Sequence, residues 1–175
     1  IGHGFSREEV EAAPIVSWEQ AQGFDATLQE LISVLKAHAP PLAASRLLRR
    51  LIVFQARHQG RLLGTSPARY ESPTRYYVEF STRTRIGLAP EFFDPQNPLY
   101  PHRVQALFHA LAHAAGDSHE EALRLAAQIF WGLSAEEVER FSLAELEAHP
   151  LNTFGAAIRQ WQAEQFRRRQ GTNFE

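Results

Sequence analysis

The decisive stretch of this sequence is Leu107-Phe108-His109-Ala110-Leu111-Ala112-His113-Ala114-Ala115-Gly116-Asp117-Ser118-His119-Glu120-Glu121. Its large apolar side chains recur every three or four positions, a spacing that predicts a helix with one buried face. Glycine is favoured just beyond the last residue of a helix, so Gly116 indicates where this helix ends. The stretch therefore predicts a buried helix followed by a tight turn and a second helix.

Two histidines lie on another face of the first helix. His109 and His113 are four residues apart, so one ring lies a helical turn above the other. Imidazoles at this spacing can bind one zinc ion, with metal–nitrogen distances of about 2.0–2.1 Å. The sequence contains no cysteine, which leaves His, Asp or Glu as further ligands. The candidates that follow the turn closely are His119, Glu120 and Glu121.

Composition limits the other classes of function. The chain has 175 residues and a formal net charge of −2, which argues against obligate nucleic-acid binding without sequence preference. It contains no apolar run of the roughly 18–20 residues that a membrane span requires. The first residues include neither an initiator Met nor a signal-peptide pattern. We therefore expect a cytoplasmic protein that begins within a longer chain.

Turn residues divide the rest of the sequence. Residues 5–62 have a helical pattern that Pro40-Pro41 interrupts, and Gly60 is expected to close the second helix. The turn-rich segment from residue 65 separates a helical region, 1–64, from a metal-binding domain, 65–175, and we expect the two to form one compact unit. Runs rich in aromatic and β-branched residues predict strands at 76–80 and 84–88. Ser118/Glu121, Ser134/Glu137 and Ser142/Glu145 have the spacing of helix-capping boxes.

The His109-x-x-x-His113 pattern resembles the zincin metallopeptidases, whose motif is His-Glu-x-x-His with the glutamate as general base. The likeness is closest to the metallopeptidase domain of the antirestriction protein ArdC and to IrrE-type zinc peptidases. Besides the helix, Tyr76-Tyr77, residues 86–90 and Phe92-Phe93 carry it, within about residues 70–131. The resemblance implies a mostly helical α+β zincin-like domain, with a small antiparallel strand pair beside the metal-binding helix. It also implies a zinc cofactor and a protein or peptide substrate, whereas the DNA-binding part of ArdC has no counterpart here.

Ala110 is the main departure from that family. It occupies the position of the catalytic glutamate, and a methyl group cannot accept a proton from an attacking water molecule. The present sequence is therefore expected to be inactive as a peptidase. Ala110 is either an engineered replacement or a native feature of a protein that keeps the site for binding. The intact pattern around it favours the first explanation.

The families differ in the third ligand. Metzincins use a histidine after the glycine turn, which corresponds to His119, although they also have a methionine turn and this chain has no methionine. ArdC-like and IrrE-like zincins use a glutamate of the next helix, which favours Glu121. We rank His119 and Glu121 equally, with Glu120 behind them. The alternative role of Glu121 is to cap its helix together with Ser118.

Two further functions remain open. One is a regulatory or binding module that uses zinc without catalysis. The other is a zinc endoribonuclease of the YbeY type, whose motif His-Gly-x-Leu-His-Leu-x-Gly-x-Asp-His also has no glutamate after its first histidine. Asp117-Ser118-His119 stands where that motif has x-Asp-His. The upstream motifs of those ribonucleases are not found in this sequence.

Overall fold

The computed structural model describes residues 18–58, 77–80 and 86–173. This part of the chain forms seven α-helices and one two-stranded sheet. The helices are α1 (Trp18–His38), α2 (Pro41–His58), α3 (Arg103–Ala114), α4 (His119–Phe130), α5 (Ala135–Glu139), α6 (Leu143–Glu147) and α7 (Thr153–Asn173). The strands are β1 (Val78–Phe80) and β2 (Ile86–Leu88). The predicted α+β class is confirmed: the chain is mostly helical with a small antiparallel strand pair.

The first two helices meet where proline requires a break. Helix α1 ends at His38 and α2 begins at Pro41, as the Pro40-Pro41 pair predicts. The predicted helix end at Gly60 and the boundary between 1–64 and 65–175 lie outside the described residues. Within the described residues, none of the helices combines the length and the apolar character needed to cross a bilayer.

The strand pair lies against the central helix. Strands β1 and β2 are antiparallel, with Val78 opposite Leu88 and Phe80 opposite Ile86. All three residues of β2 are buried, and β1 packs on α3. Two 3-10 helices, Pro90–Phe93 and Tyr100–His102, then carry the chain into α3. The sheet therefore forms a wall beside the face of α3 that carries the histidines.

Helix α3 is the centre of the hydrophobic core. Its residues Leu107, Phe108 and Leu111 are at most 1% exposed. The same core contains Leu28 of α1 and Ile129 of α4, so helices that precede and follow α3 in the sequence both hold it. Full burial of one such side chain contributes roughly 1.5–3 kcal/mol. The orientation of α3, and with it the position of its histidines, is thus fixed by burial of the opposite face.

Helix α4 packs on two sides. Ala122 and Ile129 are buried in the main core. Leu123 and Ala127 are buried in a second cluster with Val138 and Leu146. Helix α4 therefore has two buried faces, one toward each cluster. The second cluster attaches the short helices α5 and α6 to the core.

The turn between α3 and α4 is fixed by hydrogen bonds at both helix ends. Gly116 N–H donates to the His113 carbonyl at 3.0 Å, and Asp117 N–H donates to the Ala112 carbonyl at 2.9 Å. This pair of bonds defines a Schellman motif, in which Gly116 adopts φ +100°. Ser118 then caps α4 in a capping box with Glu121. All three capping boxes expected from the sequence are confirmed.

We predict that the turn depends on glycine at position 116. Gly116→Ala should lower the free energy of unfolding by about 1–2 kcal/mol, the cost of a positive φ for a residue with a Cβ. No atom lies within 4 Å of a Cβ built at this position, so the substitution measures the backbone strain without a steric clash. Gly23→Ala is the matched control. It lies within α1, also has no neighbour within 4 Å of a Cβ, and should stabilise by roughly 0.5–1 kcal/mol. Urea unfolding measures both values, and equal effects of the two substitutions would contradict the prediction.

Candidate metal centre

Three histidines meet at the turn between α3 and α4. His109 and His113 come from the last two turns of α3, and His119 is the first residue of α4. Each contributes a ring nitrogen, and the three nitrogens lie within 4.8 Å of one another. Because the Schellman motif and the capping box fix the turn on both sides, local hydrogen bonds hold the backbone at His119 in place.

The two α3 histidines are close to the separation that a shared cation needs. His109 Nε2 and His113 Nε2 are 2.9 Å apart, and the ring centroids are 4.5 Å apart. Two nitrogens bound tetrahedrally to one zinc ion at about 2.0–2.1 Å would be separated by about 3.3 Å. The rings would therefore have to separate by only about 0.4 Å to accept zinc, well within the reach of a small side-chain rotation.

A backbone carbonyl orients His113. Its Nδ1 lies 3.0 Å from the Asp117 carbonyl oxygen, which can only accept a hydrogen bond. The His113 proton is therefore on Nδ1, and the lone pair of its Nε2 accepts a hydrogen bond from His109 Nε2–H in the absence of a metal. Metal-binding histidines usually have their second nitrogen held in this way. The Asp117 side chain in turn pairs with Arg46 of α2 at 3.0 Å, which ties the turn to the N-terminal helices.

A glutamate that sequence reasoning missed lies beside His119. Glu147 Oε1 is 3.0 Å from His119 Nε2, although the two residues are 28 positions apart. Glu147 is the last residue of α6, and α6 reaches this place only through the second hydrophobic cluster. No local spacing indicates such a contact, because the packing of α6 on α4 creates it.

His109 is the most enclosed histidine of the group. Its ring lies 6.4 Å from the Phe154 ring of α7, measured between centroids. Burial, and to a smaller extent the neighbouring His113 and then His119, together lower the pKa of His109 to about 4. His109 is therefore neutral at pH 7, the state in which imidazole binds metals.

The acidic candidates from the sequence are engaged elsewhere. Glu121 Oε1 accepts the Ser118 N–H at 2.9 Å, and the hydrogen bonds from Ser118 hold the pKa of Glu121 below its ordinary value. Glu120 pairs with Arg124 at 3.1 Å. Neither glutamate belongs to the group of ligand atoms that the structure brings together among its described residues. His119 is thus the third candidate ligand that lies with His109 and His113.

Ala110 lies in the wall of a cavity that opens from the histidines. The cavity has a volume of about 720 Å³ and is lined by β1, α3, α4, α6 and α7. Ala110 is 9% exposed and shares this wall with Ala114, one turn further along α3. The wall also includes Tyr77, whose buried hydroxyl has no hydrogen-bond partner among the described residues. Burial raises the pKa of Tyr77, so the hydroxyl stays protonated.

Comparison with known proteins gives no neighbour to argue from. No protein-family model, curated protein or solved structure matches this chain. The function is therefore inferred from the residues of the site and their geometry.

We predict that the metal-free protein loses stability in acid through His109. The pKa of His109 is about 4 in the folded state and about 6.5 when unfolded, so the unfolded chain binds more protons between these values. The contribution of His109 to the free energy of unfolding is therefore fully present above pH 6.5. It is lost as the pH drops towards 4, by on the order of 3 kcal/mol. Chemical unfolding in the presence of chelator, repeated across this range, measures the loss.

The control for this measurement is His109→Gln. The difference between the two chains isolates the contribution of His109 from that of every other titrating group. An NMR titration that places the pKa of His109 near 6.5 would contradict the prediction.

Proposed function

We propose that the chain binds one zinc ion through His109, His113 and His119, in a metallopeptidase-like site that lacks its general base. The observation that carries this proposal is the convergence of three histidine nitrogens within 4.8 Å of one another. Two of these rings have their second nitrogen held by an acceptor, the Asp117 carbonyl and the Glu147 carboxylate. Such partners are typical of metal ligands and orient the rings for binding.

The donor set favours zinc. Imidazole nitrogens suit borderline metals such as zinc, and hard cations such as Mg²⁺ prefer oxygen ligands. Three protein ligands leave a fourth position open, as in catalytic rather than structural zinc sites. Zinc in such a site supplies Lewis acidity and activates water at neutral pH. The cavity beside the histidines provides room for a ligand at that open position.

The chain's own residues account for binding but not for proton transfer. In zincins the residue after the first histidine is a glutamate that removes a proton from the attacking water. Here that residue is Ala110, and its methyl group in the cavity wall has no basic atom. We therefore propose that this sequence holds a protein or peptide ligand beside zinc and does not hydrolyse it at an appreciable rate.

One observation supports a second candidate, a zinc endoribonuclease of the YbeY type. That family has three histidines at the spacing of His109, His113 and His119, and it has no glutamate after the first. The gathering of His119 with the other two histidines fits this pattern. The alternative makes Ala110 a native residue of an active enzyme.

We predict that the purified chain binds about one equivalent of zinc and that His113→Ala abolishes tight binding. Loss of a direct ligand should weaken zinc affinity by more than the roughly 10- to 100-fold that loss of an outer partner costs. Competition with a fluorescent zinc chelator measures the affinity, and elemental analysis measures the stoichiometry.

His38→Ala is the matched control for this prediction. His38 is an exposed histidine at the end of α1 and does not belong to the three-histidine group. This variant should bind zinc like the unchanged chain. Equal zinc affinities for His113→Ala and His38→Ala would rule out the proposed centre.

We predict that restoring a carboxylate at position 110 creates peptidase activity. Ala110→Glu should cleave an unfolded protein substrate at least about 100-fold faster than the unchanged chain, the lower end of what a general base contributes. Chelator should abolish the cleavage. Release of fluorescent fragments from a labelled casein measures the rate.

Two variants test whether the position and the basicity of that carboxylate matter. Ala110→Gln adds a side chain of similar size without a base, and Ala114→Glu places the same acid one turn along the same wall. Both should remain inactive. If Ala110→Glu binds zinc and is also inactive, the peptidase assignment fails and the non-catalytic binding module is favoured.

Chelator-sensitive cleavage of structured RNA by the unchanged chain would instead establish the ribonuclease.

A further inference from the structure

Glu147 is the acidic side chain in contact with the third histidine. Its Oε1 atom lies 3.0 Å from His119 Nε2, and both side chains are about half exposed, at 43% and 54%. Glu147 also lines the cavity into which the histidines open. An exposed side-chain contact of this kind adds little to stability, so stability alone does not explain it.

The backbone at Glu147 is held from two sides. Leu146, its neighbour, is fully buried in the second cluster with Leu123 of α4. The buried Asn152 amide donates to the carbonyls of Leu146 and Glu147, both at 3.3 Å, and accepts the Gly155 N–H at 2.9 Å. Helix α6 therefore ends at a fixed place, and the Glu147 side chain projects from a rigid support.

The contact determines which nitrogen of His119 carries the proton. A neutral imidazole has one N–H and one lone pair, and an ionised carboxylate only accepts hydrogen bonds. With Glu147 at Nε2, the His119 proton is on Nε2 and the lone pair is on Nδ1. His113 is fixed in the opposite sense, because the Asp117 carbonyl holds its Nδ1–H.

We propose that Glu147 is a positioning residue that makes His119 present Nδ1 to the cation bound by His109 and His113. This inference rests on the proposed zinc site. Glu147 acts through His119 and not as a ligand, because the described ligand atoms that lie within 4.8 Å of one another belong to the three histidines alone. The small helices α5 and α6 thereby acquire a role, since they hold the carboxylate that orients the third ligand.

The test is Glu147→Gln, which keeps the shape of the side chain and removes its charge. Zinc affinity should fall about 10-fold, the smaller effect expected for an exposed outer partner. In the unchanged chain loaded with zinc, ¹⁵N NMR of the histidine rings should show a proton on His119 Nε2 and metal on Nδ1. Glu147→Gln should weaken this preference, since an amide can either donate or accept. Glu139→Gln, at an exposed carboxylate of α5, should change neither measurement.

The outcomes separate this inference from the proposed function. If the unchanged chain binds no zinc, both fail. If it binds zinc and Glu147→Gln behaves like Glu139→Gln, the zinc site stands and the role of Glu147 is refuted. A zinc-loaded spectrum with metal on His119 Nε2 also refutes it, because Glu147 would then have released that nitrogen.

Discussion

The reversal of the chain at Gly116 is the constraint on which the candidate site depends. His109 and His113 share a helix and would lie close together in any helical segment, but His119 reaches them only if the chain turns back within four residues. The positive φ of Gly116 permits that turn, and the bonds from Gly116 and Asp117 to α3 close it. The same turn directs the Asp117 carbonyl at His113 Nδ1, so one backbone conformation both gathers the third histidine and orients the second.

The sequence predicted the features that depend on near neighbours. Capping boxes, the proline break before α2 and the glycine at the end of α3 each involve residues within about four positions, where spacing alone carries the information. The apolar stripe of α3 and the face that carries its histidines could be predicted for the same reason. The sequence could not decide which of His119, Glu120 and Glu121 is the third candidate ligand, because the three residues differ only in the groups that they contact in the folded chain. Ser118 and Arg124 engage the two glutamates, and His119 is left facing α3.

Contacts between segments that are distant in the chain could not be predicted from local sequence patterns. Leu123 and Ala127 differ little from the neighbouring apolar residues of α4, and their burial follows from α5 and α6 packing on that side. Glu147 becomes part of the site by the same packing, and Arg46 of α2 pairs with Asp117 although the two residues are 71 positions apart. A single amphipathic stripe describes a helix at the surface, whereas α4 lies between two apolar layers. The residues that α2 and α6 contribute beside the histidines could therefore be identified only from the three-dimensional structure.

Ala110 connects the packing of α3 with the electrostatics of the site. A carboxylate at this 9% exposed position would lie beside three imidazoles in a partly enclosed cavity. Without a cation it would have to be protonated or would favour a charged His109, since an unpaired buried charge is costly. With a divalent cation the same carboxylate would be compatible with neutral rings. The alanine removes this dependence, so the imidazoles do not have to balance a buried carboxylate at position 110, with or without a cation. In the proposed zinc centre, the alanine also leaves out the group that would move protons.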